Sequence, residues 1–332
     1  MKGAATVGRN GQSGWALACA WICFTACAPA ETRSPEAATS CAQELIVLGT
    51  AQDAGAPQIG NPSDPGWADP TLRLTATSLA LVNHGTGRRF LFEATPNITE
   101  QLYLLDQLAP SDKPGLGLDG VFLTHAHIGH YAGLMFFGHE AAGASKIPVH
   151  AMPRMKAYLE ENGPWSQLVE FENILLDELA ESVPFDLGDG VSVTPLQVPH
   201  RDEFSETVGF LIDVAGRKAL FLPDIDRWET WESLYGHRFE PILEQVEYAF
   251  VDATFYDDNE LPGRDMSAIP HPRVTGTMAL LEAYPDTVRS RIQFIHTNHT
   301  NPIRYATSAE SRAVLDAGFG IARTGARYCL AE

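Results

Sequence analysis

Thr124-His125-Ala126-His127-Ile128-Gly129-His130 places three of the chain's eleven histidines within six residues, directly after the apolar run Gly120-Val121-Phe122-Leu123. A short apolar run ending in a turn-forming stretch reads as a buried strand. Side chains at a strand's end project from the sheet rim and alternate positions share a face, so His125 and His127 can converge on one ion. His130 can face the same space from the following turn or helix. Imidazole suits zinc, iron and nickel, and a catalytic site adds an open position for water or substrate. One isolated histidine would read as a packed or surface residue; three at this spacing point to metal.

Outward from this stretch, similar apolar runs at 44–49, 78–82, 89–92, 191–198, 208–214, 219–222, 248–251 and 292–295 are predicted as strands. Apolar residues at three and four spacing, flanked by Pro or Gly, predict helices over 99–108, 152–162 and 275–284. Strands and helices mix along the chain without an internal repeat, so one α/β domain is predicted over 44–332. Residues 55–70 hold glycines, prolines and Trp67 without periodicity and are predicted as a loop beside the site.

The chain has 332 residues, 45% hydrophobic and 20% charged, enough to bury a sizeable core and unlike a disordered or multi-spanning protein. Its formal net charge of -19, from 23 basic and 42 acidic residues, repels phosphate backbones. Nucleic acid is therefore excluded as a partner, and a small, neutral or cationic molecule is expected as substrate. At the N-terminus Lys2 and Arg9 precede the apolar run 15–24 and then small residues, so 1–27 are predicted as a signal peptide too short to span a membrane comfortably. Phe24-Thr25-Ala26-Cys27 resembles the lipobox of bacterial lipoproteins, making Cys27 the candidate lipidation site; ordinary cleavage near Ala28 is the alternative. Residues 28–43 read as a linker. The expectation is an exported, periplasmic lipoprotein that touches a membrane only through its N-terminal anchor. Of five cysteines, Cys41 stands just before the first predicted strand and Cys329 in the last; an oxidising compartment would let them form a disulfide, the other reading being two unrelated buried thiols.

Further along, His200 follows the run ending Gln197-Val198-Pro199, Asp224 follows Ala219-Leu220-Phe221-Leu222-Pro223, and His296 ends Gln293-Phe294-Ile295. In that setting the 124–130 stretch resembles the His-x-His-x-Asp-His signature of the metallo-β-lactamase superfamily. The resemblance implies a four-layer αββα sandwich of two mixed sheets with a metal site at the strand ends. It also implies that His125, His127 and His200 hold one metal, that Asp224 bridges, and that His130 with His296 holds a second. Zinc, as one or two ions, is the expected cofactor, with iron the alternative. Within the superfamily the chain resembles the PqqB family of pyrroloquinoline quinone biosynthesis over about residues 45–303. Three phrases carry this: Leu48-Gly49-Thr50-Ala51-Gln52-Asp53-Ala54-Gly55-Ala56-Pro57-Gln58, Ile147-Pro148-Val149-His150-Ala151, and Phe294-Ile295-His296-Thr297-Asn298-His299-Thr300-Asn301-Pro302. Asp252-Ala253-Thr254-Phe255 is similar too. One position departs: the signature's aspartate is Gly129 here, which removes a second-metal ligand. Asp53, Asp226, Asp252 and His299 are the candidates to compensate, each equally readable as surface charge or turn former.

His271, in Ile269-Pro270-His271-Pro272, falls where phosphodiesterase-like relatives carry a proton-donating histidine. It is a candidate general acid, or a loop histidine between two prolines. His84, His139, His150 and His237 lack a partner pattern and read as structural or surface residues. A metal held by histidines and a carboxylate activates water and polarises an ester, lactone, amide or phosphodiester, so hydrolysis is the expected chemistry, with Asp224 orienting the water. The 55–70 and 201–206 segments are expected to shape the pocket. The competing readings are a PqqB-like iron-dependent oxygenase and a non-catalytic metal-binding lipoprotein.

Overall fold

The computed structural model describes residues 41–332; the predicted signal peptide, Cys27 and the linker up to residue 40 lie outside the described residues. The chain first lays down β1 (Gln43–Gly49), β2 (Ser78–Asn83), β3 (Arg88–Phe92), β4 (Gly120–Phe122), β5 (Ile147–Ala151) and β6 (Ile174–Glu178). It crosses to a second sheet of β7 (Phe185–Gly188), β8 (Val191–Gln197), β9 (Val208–Val214), β10 (Arg217–Leu222), β11 (Tyr248–Asp252), β12 (Ile292–Ile295) and β13 (Gly320–Ile321). Finally β14 (Arg327–Ala331) returns to the first sheet beside β1. The sheet orders are β14-β1-β2-β3-β4-β5-β6 and β13-β12-β11-β10-β9-β8-β7.

Alternation of side chains along each strand builds the layers. In β1, Leu45 and Val47 point between the sheets while Ile46 and Leu48 point outward; in β10, Ala219 and Phe221 point inward while Leu220 and Leu222 point outward. Both faces are covered, which is why these strands read as unbroken apolar runs. Between the sheets Phe92, Phe122, Phe210 and Phe221 interlock at centroid separations of 5.2 to 6.0 Å, contacts that add roughly 0.5–1.5 kcal/mol each beyond area burial. Helices α1 (Ile98–Leu108), α2 (Ile128–Tyr131), α3 (Pro153–Glu161) and α4 (Trp165–Glu170) accompany the first sheet in sequence. Leu105, Tyr131, Met155, Leu159 and Leu168 from these helices pack on its outer face. Trp228 and Trp231 of α5 (Trp228–Tyr235), Phe239 of α6 (Phe239–Leu243) and Val274 of α7 (Val274–Leu280) cover the second sheet, with Val314 of the C-terminal helix. This is the four-layer αββα sandwich that the resemblance implied. No helix among the described residues is long and apolar enough to cross a membrane.

Three departures from the predicted elements have physical causes. The 275–284 helix stops at Leu280, and Leu281, Glu282 and Tyr284 continue as looser turns; Pro285 disfavours helical geometry at the residue before it. Strands β5, β6, β7 and β13 were not predicted. β5 is internal, but Pro148 and His150 interrupt its apolar run; the other three lie at sheet edges, where only part of each strand is covered and polar residues are tolerated. β1 begins at Gln43, one residue before the predicted start, and a disulfide between Cys41 and Cys329 ties it to β14.

Strand direction positions the site. β1, β3, β4, β8, β10, β11 and β12 run the same way within their sheets, since each antiparallel neighbour is followed by another reversal. Their carboxyl ends and the loops after them carry Asp53, Glu93, His125, His200, Asp224, Asp252 and His296.

Candidate metal centre

The chain leaves β4 through Leu123 and Thr124 and enters α2, a single helical turn. His127 occupies the N-cap with extended backbone, and His130 lies in the turn, which returns its ring to 4.2 Å from that of His125. His125 Nε2 is 2.8 Å from His127 Nδ1, which is 3.2 Å from His200 Nε2. Asp224 Oδ2 lies 3.6 Å from His125 Nε2, and Oδ1 lies 3.9 Å from His200 Nε2. On the other side of Asp224, Oδ2 is 3.0 Å from His130 Nε2 and 3.4 Å from His296 Nε2. The six predicted metal-site residues therefore meet at one place.

The donor atoms of His125, His127 and His200 lie within 4.8 Å of one another, and so do those of Asp53, His130 and His296. Outer contacts turn the lone pairs inward. Thr124 Oγ1 donates to Glu93 Oε1 (2.5 Å), which leaves it to accept from His125 Nδ1 (2.8 Å). Thr254 Oγ1 donates to Asp252 Oδ1 (2.7 Å) and accepts from His296 Nδ1 (3.1 Å), while His200 Nδ1 donates to Asp226 Oδ1 (2.8 Å). In each case Nε2 is left unprotonated and aimed at the centre, the arrangement that outer partners impose on metal-binding histidines. Among the described residues, neither ring nitrogen of His130, nor His296 Nε2, has an aligned hydrogen bond, although both residues are buried. Buried polar atoms are rarely left unmatched, and a divalent cation among these nitrogens and carboxylates would satisfy them.

Electrostatics agree. Burial holds His125 well below the usual histidine range, aided by the neighbouring His130, and burial likewise lowers His127 and His296. Neutral imidazole is the form that binds metal. Burial alone would raise Asp224, but His296, His200 and His130 outweigh it and keep the carboxylate ionised. Burial would also lower His130, yet the carboxylates of Glu93, Asp224 and Asp53 lift it well above its ordinary value. Partial burial would pull His271 down too, but Asp252, 2.7 Å from its Nδ1, with Asp224 and Asp226, raises it to about 9. Asp53, Glu93, His271 and His296 all hold positive φ, at 36°, 75°, 111° and 66°. Such conformations cost of order 1–3 kcal/mol each and gather at functional sites.

His271 borders a cavity of about 310 Å³ that is also lined by Asp226, Trp228, Met266, Ile269 and Arg273. Of the two predicted pocket loops, 201–206 reaches the site, while 55–70 is anchored beside the loop after β12. In 201–206, Ser205 Oγ accepts from Ala126 N (2.8 Å) and Glu203 Oε2 lies 3.3 Å from His127 Nε2. In 55–70, Asp64 pairs with Arg304 in full burial and Asn61 meets His299 Nδ1 at 3.0 Å. His299 thus belongs to a loop contact, Asp226 and Asp252 are outer partners, and Asp53 alone of the four compensating candidates joins a donor group with His130 and His296. Sequence reasoning missed Glu93, Thr124 and Thr254 as orienting residues; the one signal was an acid directly after the apolar run of β3. The four histidines read as structural lie elsewhere: His84 bonds Glu44, His139 stacks on Phe171, His150 stacks on Phe122 with burial lowering it to about 4, and His237 bonds Glu181.

Comparison with known proteins places this geometry. The beta-lactamase superfamily domain matches residues 88–297. Coenzyme PQQ synthesis protein B of Methylorubrum populi is 26% identical over 315 residues, covering 85% of this chain and 98% of that protein. The fold is similar to that of Zn(2+)-bound PqqB from Methylobacterium extorquens, with a TM-score of 0.69 and 22% identity over 86% of this chain and 99% of that one. It is also similar to a diphosphatase of the PhnP family, with a TM-score of 0.58 and 20% identity over 87% of this chain and 98% of that one. The chain belongs to the beta-lactamase superfamily domain family and is PqqB-like within the metallo-β-lactamase fold.

Proposed function

We propose that this protein is a zinc-dependent hydrolase acting on an ester, lactone, amide or phosphodiester bond of a small molecule. The observation that carries the reading is the convergence of His125 Nε2, His127 Nδ1, His200 Nε2 and the Asp224 carboxylate beside a cavity. Zinc fits a set of three imidazoles and one carboxylate, and the zinc-bound relative of the same fold supports that choice. A divalent ion bound there would supply Lewis acidity and lower the pKa of water.

The chain's own residues supply the rest. Asp224, ionised and central, is placed to orient the attacking water. His271 is held through Nδ1 by Asp252, its Nε2 has no hydrogen-bond partner among the described residues, and it lines the cavity, the position of a proton donor to a leaving group. Export to an oxidising compartment, through the predicted signal and lipid anchor at Cys27, belongs to the same proposal and is supported by the Cys41–Cys329 bridge. The net charge of -19 favours a neutral or cationic substrate over nucleic acid.

The test is metal content by elemental analysis of the full-length chain and of His127→Ala, followed by ester, lactone and phosphodiester panels. Zinc lost in the variant together with hydrolysis supports the proposal; a chain with no metal refutes it. The similarity to coenzyme PQQ synthesis proteins over nearly their whole length supports a second reading, an iron-dependent oxidation. Iron in the purified chain, with oxygen consumed and no hydrolysis, would favour it.

A further inference from the structure

Gly129 lies where the signature aspartate is missing, and its surroundings say why. A Cβ on Gly129 would sit 2.2 Å from the Asp53 Cα and 2.7 Å from both Asp53 Cβ and Oδ1. No side chain of any kind fits there, because backbone and carboxylate of the loop after β1 fill the space. The carboxylate that fills it points at the same atoms a residue-129 aspartate would serve: Asp53 Oδ1 is 3.3 Å from His130 Nε2 and 3.9 Å from His296 Nε2. Those two imidazoles are 2% and 1% exposed, and neither Nε2 has an aligned hydrogen bond among the described residues.

The loop is held in this position. Gln52 N donates to Thr297 O (2.9 Å), next to His296, and Gly55 N donates back to Gln52 O (3.0 Å), so Asp53 sits in a turn anchored to the strand end that carries His296. Its φ of 36° is a strained value that the turn maintains.

We propose that Asp53 and Gly129 form a compensating exchange. The carboxylate of a second divalent-metal position comes from the loop after β1, and Asp53, His130, His296 and the second face of Asp224 complete that position with two nitrogens and two oxygens. The metal class is a divalent first-row cation such as zinc, manganese or iron(II). This deepens the reading above and rests on the first position, His125, His127 and His200 with Asp224, also binding metal.

The test is a titration of the chelator-stripped, full-length chain with Zn²⁺ and with Co²⁺, followed by calorimetry, elemental analysis and the visible spectrum of bound cobalt. Wild type is expected to bind two ions. Asp53→Asn should keep the first, with its cobalt spectrum showing an intact fold, and weaken the second by more than the roughly 10–100-fold that loss of an outer partner costs. Gly129→Asp alone should also lose the second ion, because it collides with Asp53. Asp53→Cys, which keeps a ligand atom on the same loop, should recover the second ion and add a thiolate-to-cobalt charge-transfer band to its spectrum, which a merely structural role for Asp53 would not produce. Two ions bound equally well by wild type and Asp53→Asn overturn the proposal. So does a single ion that His127→Ala abolishes and Asp53→Asn leaves unchanged. Either result leaves the first position standing, whereas a chain that binds no ion overturns both.

Discussion

On one side of Asp224 the donors are three histidines, two of them from a single strand exit and each held by its own surroundings. On the other side the donors come from three separate places, the loop after β1, α2 and the end of β12, and three of the four imidazole nitrogens lack any aligned hydrogen bond among the described residues. The first side depends on a local motif and on Asp226 behind His200. The second depends on the loop after β1 lying in the right place, held at Gln52 by Thr297 O and, further along the chain, at Asp64 by the buried pair with Arg304. A site assembled from one segment survives drift in the rest of the molecule, while a site assembled across loops is only as exact as the contacts that anchor them.

The largest expected effect falls on both sides at once. Asp224→Asn, nearly the same shape, removes the shared charge, and both metal affinities should fall more than the roughly 100-fold upper value for an outer partner, with hydrolysis at background. Elemental analysis checks it, and an ion retained at full affinity would show that Asp224 is not shared. Next, Asp64→Ala leaves the Arg304 guanidinium buried and unpaired; both side chains are 1% exposed. Breaking such a pair costs about 3–5 kcal/mol. Urea unfolding should show that loss, and metal titration should show the second side loosened while the first is unchanged; equal loosening of both would erase the contrast. Asp226→Asn is the converse. It releases His200 Nδ1 and should weaken only the first side, by about 10–100-fold.

The smallest effect is a pH dependence near the loop that follows β12. Burial raises Glu260 to about 7, although Thr300 Oγ1 and the Tyr256 N–H both donate to it. A carboxyl with a raised folded-state pKa binds its proton more tightly in the folded chain, so its contribution is complete below its ordinary value of 4.5 and is lost as pH rises to about 7. Glu260→Gln should flatten the fall in stability across that window in chemical unfolding; an unchanged slope would put the titration elsewhere.

Much of this molecule was legible beforehand where the signal is local. The runs that became β1, β2, β3, β10, β11 and β12 are apolar because both their faces are covered, β8 and β9 showed alternation because one face is more open, and the histidines of 125–130 stand together in sequence. Edge strands β6, β7 and β13 escaped because solvent relaxes the demand for apolar residues. Glu93, Thr124 and Thr254 escaped because an orienting role is a matter of one hydrogen bond, which leaves no periodic trace.

His200, Asp224 and His296 were recognisable only as strand-end residues set in a family pattern; their approach to His125 required two sheets to face each other. Asp53 marks the limit most clearly. Its own neighbours gave it the same standing as Asp226, Asp252 and His299, and Gly129 read only as a loss. The sequence by itself determined the strand runs, the order of the donors along the chain and the chemistry they share, since these follow from side-chain type and local spacing. Only the tertiary structure decided which carboxylate stands against Gly129, because residues 76 positions apart meet through sheet pairing and loop anchoring, and steric exclusion at a single Cβ is a property of space rather than of sequence.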